Sequence, residues 1–251
     1  MSINDDIKLT LENKQKLESN QKLMFWYHEC FKHQFELIPN PETLRILEIG
    51  SGTSPFKQFN KKIITSDVMP LEHVDFCFDA MKLSEHKELI DNPIDVILMT
   101  NVLHHISKPL LFFKEARSIL RKSGIIIMTE PFFSHISSPI YKYFHHEPVE
   151  FKLSKPELNN VIGPLSSANQ ALPYSIFYLN DIWKSNILQH YQLAPIRHFS
   201  CLSYFYTGGI SRNFPFPLSL YRKIFNFDLW LSKHFPKFFS SFMTIKLTKK
   251  C

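Results

Sequence analysis

No two cysteines stand at metal-clamp spacing: Cys30, Cys77, Cys201 and Cys251 are too far apart for a CxxC pair or a zinc ribbon. No apolar secretory segment precedes them, so free thiols in a reducing, cytoplasmic setting are expected. A spanning helix is missing too. It would need about 20 mostly apolar residues, and the most apolar stretch, 214–242, is broken by Arg222, Lys223, Asp228, Lys233 and Lys237. That stretch could lie on a lipid surface as a peripheral contact, but an amphipathic helix pair packed on a sheet is the plainer expectation. Internal repeats and low-complexity tracts are absent, which excludes a solenoid.

What is present is apolar and aromatic. With 251 residues, 44% of them hydrophobic and 24 of them Phe, the chain can bury a sizeable core, and disorder is excluded. The net charge of +6 would suit an anionic partner, yet Lys and Arg are spread throughout, as on an ordinary solvated surface. No basic-aromatic binding module is visible, so nucleic acid is not the expected partner.

The polar stretch Met1 to Asn20 predicts a loose start that tightens into a helix over 16–37 and stops before Pro39 and Pro41. Nearly continuous apolar runs follow at 44–49, 62–66, 74–78, 95–100 and 124–130, as expected of parallel strands buried on both faces. Between the last two, Ser107 reads as a cap, Pro109 as a first-turn residue and Gly124 as a helix end. Strand, helix and strand in alternation predict a doubly wound α/β sheet. Pro131, Pro139, Pro148, Pro156, Pro164 and Pro173 then mark an insertion, and long insertions are usually functional. A helix over 179–191, a strand over 199–206 and a last strand over 241–249 complete the pattern. The whole reads as one domain over 1–251. Its parts are a helical lid (1–40), a ligand-binding core (41–131), an insertion over the substrate (132–180) and C-terminal strands and helices (181–251).

LRILEIGSGTSPF is a buried strand, then Gly50 and Gly52, then a helix start. Glycines there let a ligand approach the backbone at the positive end of the helix. A dinucleotide GxGxxG needs Gly or Ala where this chain has Pro55, and the P-loop ending is missing, which weakens NAD and ATP readings. Acids end the next two strands, Asp67 in IITSDVM and Asp79 in CFDAM. Singly each would read as a turn or cap; after successive strands they read as a set.

LEIGSGTS, SDV, FDAM and NVLHHISKP, in this order over residues 44–131, resemble the class I S-adenosylmethionine-dependent methyltransferases of the type eleven group. The resemblance implies a Rossmann-like sheet, mostly parallel with its last strand antiparallel, with the insertion between strands five and six. It implies S-adenosylmethionine as cofactor: Glu48, Gly50 and Gly52 at the methionine end, Asp67 at the ribose hydroxyls, Asp79 and Ala80 at the adenine edge, and Asn101 and Val102 close beneath. Rival readings are a scaffold that binds cofactor without turnover and a nicotinamide-dependent oxidoreductase.

For the acceptor, the Asp/Asn-Pro-Pro-aromatic motif of base methylation is missing after strand four, where Asn101-Val102-Leu103-His104 stands. EPFFSHISSPIYKYFHHEP, PLSSANQALPYSIF and YFYTGGISRNFPFP resemble segments of methyltransferases associated with bacterial surface polysaccharide biosynthesis. They imply a small-molecule acceptor such as a sugar or lipid-linked glycan, methylated at oxygen in preference to nitrogen. A base is useful when the acceptor is a hydroxyl, and His is its usual supplier. His105, His145, His146 and Glu147 are the candidates, with one of His145 and His146 facing the acceptor and the other packing, and Glu147 orienting an imidazole or binding a sugar hydroxyl. Adjacent histidines lack the one-face spacing of HExxH, so no metal is expected.

Overall fold

The apolar runs pair into one mixed sheet in the computed structural model, which describes residues 3–159 and 161–250. Its strands are β1 (Ile46–Ile49), β2 (Ile64–Asp67), β3 (Phe76–Cys77), β4 (Ile94–Thr100), β5 (Leu120–Pro131), β6 (Tyr191–Leu193), β7 (Arg197–Phe199) and β8 (Phe242–Lys249). The order is β3-β2-β1-β4-β5-β8-β6, with β7 also on β8. The first five run parallel, and β8 is antiparallel to β5. Cys251, Met1 and Ser2 lie outside the described residues; Cys30, Cys77 and Cys201 are free thiols.

Alternate strand residues feed opposite layers, as the pleat requires. Leu47, Ile49, Ile97 and Met99 pack toward Phe112, Phe113 and Ala116 of helix α5 (Pro109–Ile119). Ile46, Val96 and Leu98 pack toward Leu23, Trp26 and Phe31 on the other side. The order reverses at β1, which has β2 on one flank and β4 on the other, so the loops after β1 and β4 diverge and open a crevice at the strands' carboxyl ends.

The expected loose start is instead α1 (Ile3–Ser19), and the single helix over 16–37 is two, because Asn20 separates α1 from α2 (Gln21–Phe35). The Asn20 side chain accepts the amides of Lys22 and Leu23, and its Nδ2 donates to Thr207 O at 2.9 Å. The buried side of α1 includes Asp6 and Thr10, so no apolar stripe announces it. Short helices α3 (Phe56–Phe59) and α4 (Lys87–Asp91) precede α5. Ser107 does not cap α5; its hydroxyl donates to Met81 Sδ, and Lys108 holds the cap position. Nor does Gly124 end that helix, since β5 begins at Leu120 and Ser123 adopts φ 58° in an irregularity next to Gly124.

The insertion carries α6 (Ser137–Phe144), α7 (Leu172–Tyr174) and a π-turn over Ser175–Leu179, leading into α8 (Asp181–Leu188). The strand expected over 199–206 is β7 followed by α9 (Leu202–Tyr206). The cause is distant in sequence: Asp228, on α10 (Leu218–His234), accepts the amides of Cys201, Leu202 and Ser203 at 2.7, 3.1 and 3.0 Å. A carboxylate on those donors starts a helix turn. Between β6 and β7, three residues oppose two on β8, a bulge at Pro195, which has no amide for the ladder. Helix α11 (Pro236–Phe239) returns the chain to β8. No helix among the described residues is long and apolar enough to cross a membrane.

Candidate active site

The loop after β1 is shaped by Gly50, whose φ of +78° suits glycine. A Cβ there would lie 2.4 Å from Val102 Cγ2, so the β1 and β4 loops interlock at this residue. The amides of Gly50 and Ser51 donate to Ser66 O at 2.9 and 2.8 Å, and the Gly52 amide donates to Asp67 Oδ2 at 2.9 Å. Asp67 Oδ1 accepts from the Met69 amide at 3.0 Å. Burial raises the Asp67 pKa, while these amide bonds work to lower it.

Glu48 lies under this loop rather than on the cavity wall. It is fully buried, with Ser51 Oγ on one carboxylate oxygen at 2.7 Å and Ser54 Oγ on the other at 2.5 Å. Burial pushes its pKa up to about 7 against those two hydrogen bonds. It tethers the glycine loop from below, which differs from the direct ligand contact expected at the methionine end.

The crevice continues as a cavity of about 820 Å³. Gly50, Gly52, Asp67, Asp79, Ala80, Asn101 and Val102 all line it. Asp79 also caps the turn that follows, accepting the Met81 amide at 2.8 Å. Asn101, at φ 57°, has a buried Oδ1 with no partner. Helix α1 covers the cavity through Asp6, Thr10 and Lys16, whereas α2 reaches it through Tyr27.

At the other end, His104, His105, His145, His146 and Glu147 line the same cavity. His104 Nδ1 lies 2.7 Å from Glu130 Oε2, and its Nε2 lies 3.4 Å from Glu147 Oε2. Burial would lower the His104 pKa, but Glu130 and Glu147 together outweigh it and raise the pKa to about 10. Burial, followed by the charge of His104, lowers His105. The His105 Nδ1 bonds to Ser167 O at 2.8 Å; a carbonyl only accepts, so that nitrogen carries the proton and Nε2 holds the lone pair. Glu147 is buried, which works to raise its pKa, but His104, His105 and Gln170 hold it well below the usual carboxylate range.

Glu147 thus approaches His104 and His105 more closely than it approaches His146. His146 is 81% exposed at the rim, with its Nε2 3.8 Å from Glu147. His145 stacks on His146 at 4.7 Å and accepts the Glu147 amide at 3.3 Å; burial lowers its pKa to about 4. Ligand atoms of His104, His105 and Glu147 lie within 4.8 Å of one another, a convergence that sequence spacing did not suggest. Residues 103–105 form one 3₁₀ turn, and folding back of the insertion supplies Glu147. Charge pairing of His104 with two carboxylates accounts for this geometry.

Two members were missed in the sequence. Glu130 reads in the sequence as a strand residue, although it stands at the carboxyl end of β5, where ligand contacts gather in this architecture. Its Oε1 also accepts the amides of Val102 and Leu103 at 2.9 and 2.6 Å, joining the two ends of the cavity. Gln170, whose Nε2 donates to Glu147, sits 23 residues away in the insertion and gives no local signal.

A family model described as a methyltransferase domain matches residues 18–170, more than half of the chain. The chain belongs to this family. A thiol S-methyltransferase of Rattus norvegicus is 24% identical over 147 residues, covering 52% of this chain and 56% of its own; its Mus musculus counterpart gives the same figures. The chain therefore spans little more than half the length of these curated relatives. A SAM-dependent methyltransferase from Thermotoga maritima superposes with a TM-score of 0.50 at 15% identity, covering 99% of this chain and 96% of that one. A chain of the complex between the Trm112 methyltransferase activator and a methyltransferase of Haloferax volcanii gives 0.51 at 9%, covering 95% and 98%. At such identities the likeness concerns the fold, a Rossmann-like methyltransferase sheet, and this methyltransferase domain carries its crevice at the usual switch point.

Proposed function

We propose that the chain transfers a methyl group from S-adenosylmethionine to an oxygen of a small-molecule acceptor bound beneath the insertion. The observation that carries this reading is the single cavity walled at one end by the glycine loop and its acids and at the other by the His105–Glu147 cluster. The residues fit the cofactor. Asp67 retains lone pairs beyond its two amide bonds for a vicinal diol. The unpartnered Asn101 Oδ1 offers an acceptor to an amine, and Asp79 with Ala80 lines the wall for the adenine edge.

Bound there, S-adenosylmethionine supplies an electrophilic methyl group on a sulfonium centre. His105 presents its unprotonated Nε2 to the acceptor and would take the hydroxyl proton that the acceptor oxygen gives up on receiving the methyl group. Glu147, fixed by His104 and Gln170, faces His105 Nε2 at 3.6 Å and stabilises the imidazolium that results. The α1 cover and the insertion exclude water and align the reactants, an effect worth on the order of 7–11 kcal/mol in favourable cases.

A sugar or lipid-linked glycan is the narrower form of this reading, supported by the insertion's sequence resemblance. A thiol is the second reading, favoured by the thiol S-methyltransferase relatives. Calorimetry with S-adenosylhomocysteine tests the cofactor half; failure of the folded protein to bind it sinks the proposal. Transfer of labelled methyl to a glycan pool against an alkyl thiol then decides between the two acceptors.

A further inference from the structure

Helices α10 and α11 carry an exposed aromatic strip. Phe227 and Trp230 are stacked, with centroids 6.1 Å apart and planes 13° from parallel, and Trp230 continues onto His234 at 4.8 Å and Phe235 at 6.1 Å. Phe238 adds another ring, and Phe227 is 63% exposed. The fold does not need these side chains inside. The inward face of α10 is supplied by Tyr221, Phe225, Asp228 and Ser232, all buried. Rings joined in this way differ from the scattered apolar residues of an ordinary surface.

The exposed charges of 217–239 have one sign. Arg222, Lys223, Lys233 and Lys237 are exposed, and the one acid of 217–239, Asp228, is turned inward onto the amides that start α9. A protein partner would favour few lysines, which are depleted at protein interfaces. A bilayer favours Trp at its headgroup level and cations on its phosphates.

We infer that this face docks shallowly on an anionic lipid bilayer, with the rings of Phe227, Trp230, Phe235 and Phe238 at the boundary of headgroups and acyl chains and the cations on lipid phosphates.

The face is fastened to the acceptor end of the cavity. The His135 amide donates to Lys237 O at 3.0 Å, the Ile136 amide donates to Phe238 O at 3.3 Å, and the His135 ring lies 4.8 Å from that of Phe238. From there α6 runs through exposed Tyr143 and Phe144 to His145 on the cavity wall. Docking therefore brings the insertion to the lipid surface and selects an acceptor carried on a lipid. This last step rests on the methyl-transfer reading; the docking does not.

The test uses the full chain with phosphatidylcholine vesicles, with and without phosphatidylglycerol, followed by sedimentation and Trp fluorescence. Binding to the anionic vesicles, about tenfold or more weaker without the anionic lipid, with quenching by brominated lipid, is expected. Phe227→Ser with Trp230→Ser should weaken it about tenfold, as should Lys233→Glu with Lys237→Glu. Both pairs are exposed, and an unchanged melting temperature and unchanged S-adenosylhomocysteine affinity show that fold and cavity survive. Absence of binding to anionic vesicles, or binding undiminished in both double variants, overturns the inference. So does a dimer in ultracentrifugation that the same substitutions dissociate while vesicles are ignored. Vesicle binding without S-adenosylhomocysteine binding leaves the docking standing and sinks the methyl-transfer reading alone.

Discussion

His104 Nδ1 and Glu130 Oε2 lie 2.7 Å apart with both side chains shut off from solvent, a buried ion pair at the floor of the cavity. Breaking such a pair costs about 3–5 kcal/mol, and without Glu130 the His104 charge keeps only the more distant Glu147, at 3.4 Å. Glu130→Gln is therefore expected to lower unfolding stability by that order in urea titration. Its loss should exceed that of an exposed control such as Glu72→Gln, since surface carboxylates contribute about 0–1 kcal/mol.

The same pair sets a pH dependence. The His104 pKa is raised above its ordinary 6.5 to about 10, so the folded state holds a proton that the unfolded chain releases. Its stabilisation is complete below pH 6.5 and is lost as pH rises through about 10. The melting temperature of the wild type should fall across this window, and His104→Gln should flatten the fall.

Among the histidines the expected effects are unequal. His105→Ala removes the unprotonated nitrogen facing the acceptor and should reduce turnover by about 10²–10⁴-fold. His146→Ala, at the solvent-exposed rim, should stay within a few-fold of wild type. Because burial lowers the His105 pKa, wild-type kcat should rise with pH and level off below 6.5. Rate measurements on the identified acceptor check all three, and equal losses in the two variants would remove His105 from its assigned role.

Gly50→Ala meets two obstacles, the φ of +78° and a Cβ 2.4 Å from Val102. Backbone strain of this kind costs about 1–3 kcal/mol, and S-adenosylhomocysteine affinity should drop with the loop's shape. Adding Val102→Ala should restore part of the stability, because it relieves the clash and leaves the φ strain. Denaturation of the single and double variants measures the two contributions separately.

The sheet was legible because strands buried on both faces leave continuous apolar runs. Their order gave the doubly wound architecture before any side chain was placed. Helix α1 was not legible, since its buried side mixes Asp6 and Thr10 with Leu17 and lies partly over a cavity, so it leaves no apolar stripe in the sequence. Nor was the turn from β7 into α9, which depends on Asp228 more than 20 residues onward. At the site, Asp67 and Asp79 could be picked out because strand ends are local features. The approach of Glu130 and Glu147 to His104, with Gln170 on Glu147, joins four separate stretches, and only folding brings them together. Glu48 shows the opposite limit: its position marks it as important, while its role as a buried tether is visible only from Ser51 and Ser54.

The bulge at Pro195 has a consequence for how the molecule behaves in a crowd. A long straight outer strand would offer its unpaired amides and carbonyls to any neighbouring chain and invite fibre-like stacking. Here one outer margin is the two-residue β3, and the other is split by a proline into β6 and β7, each three residues long. Neither margin gives an incoming strand enough continuous backbone to pair with, so the shape of the sheet itself works against edge-to-edge stacking of phenylalanine-rich chains.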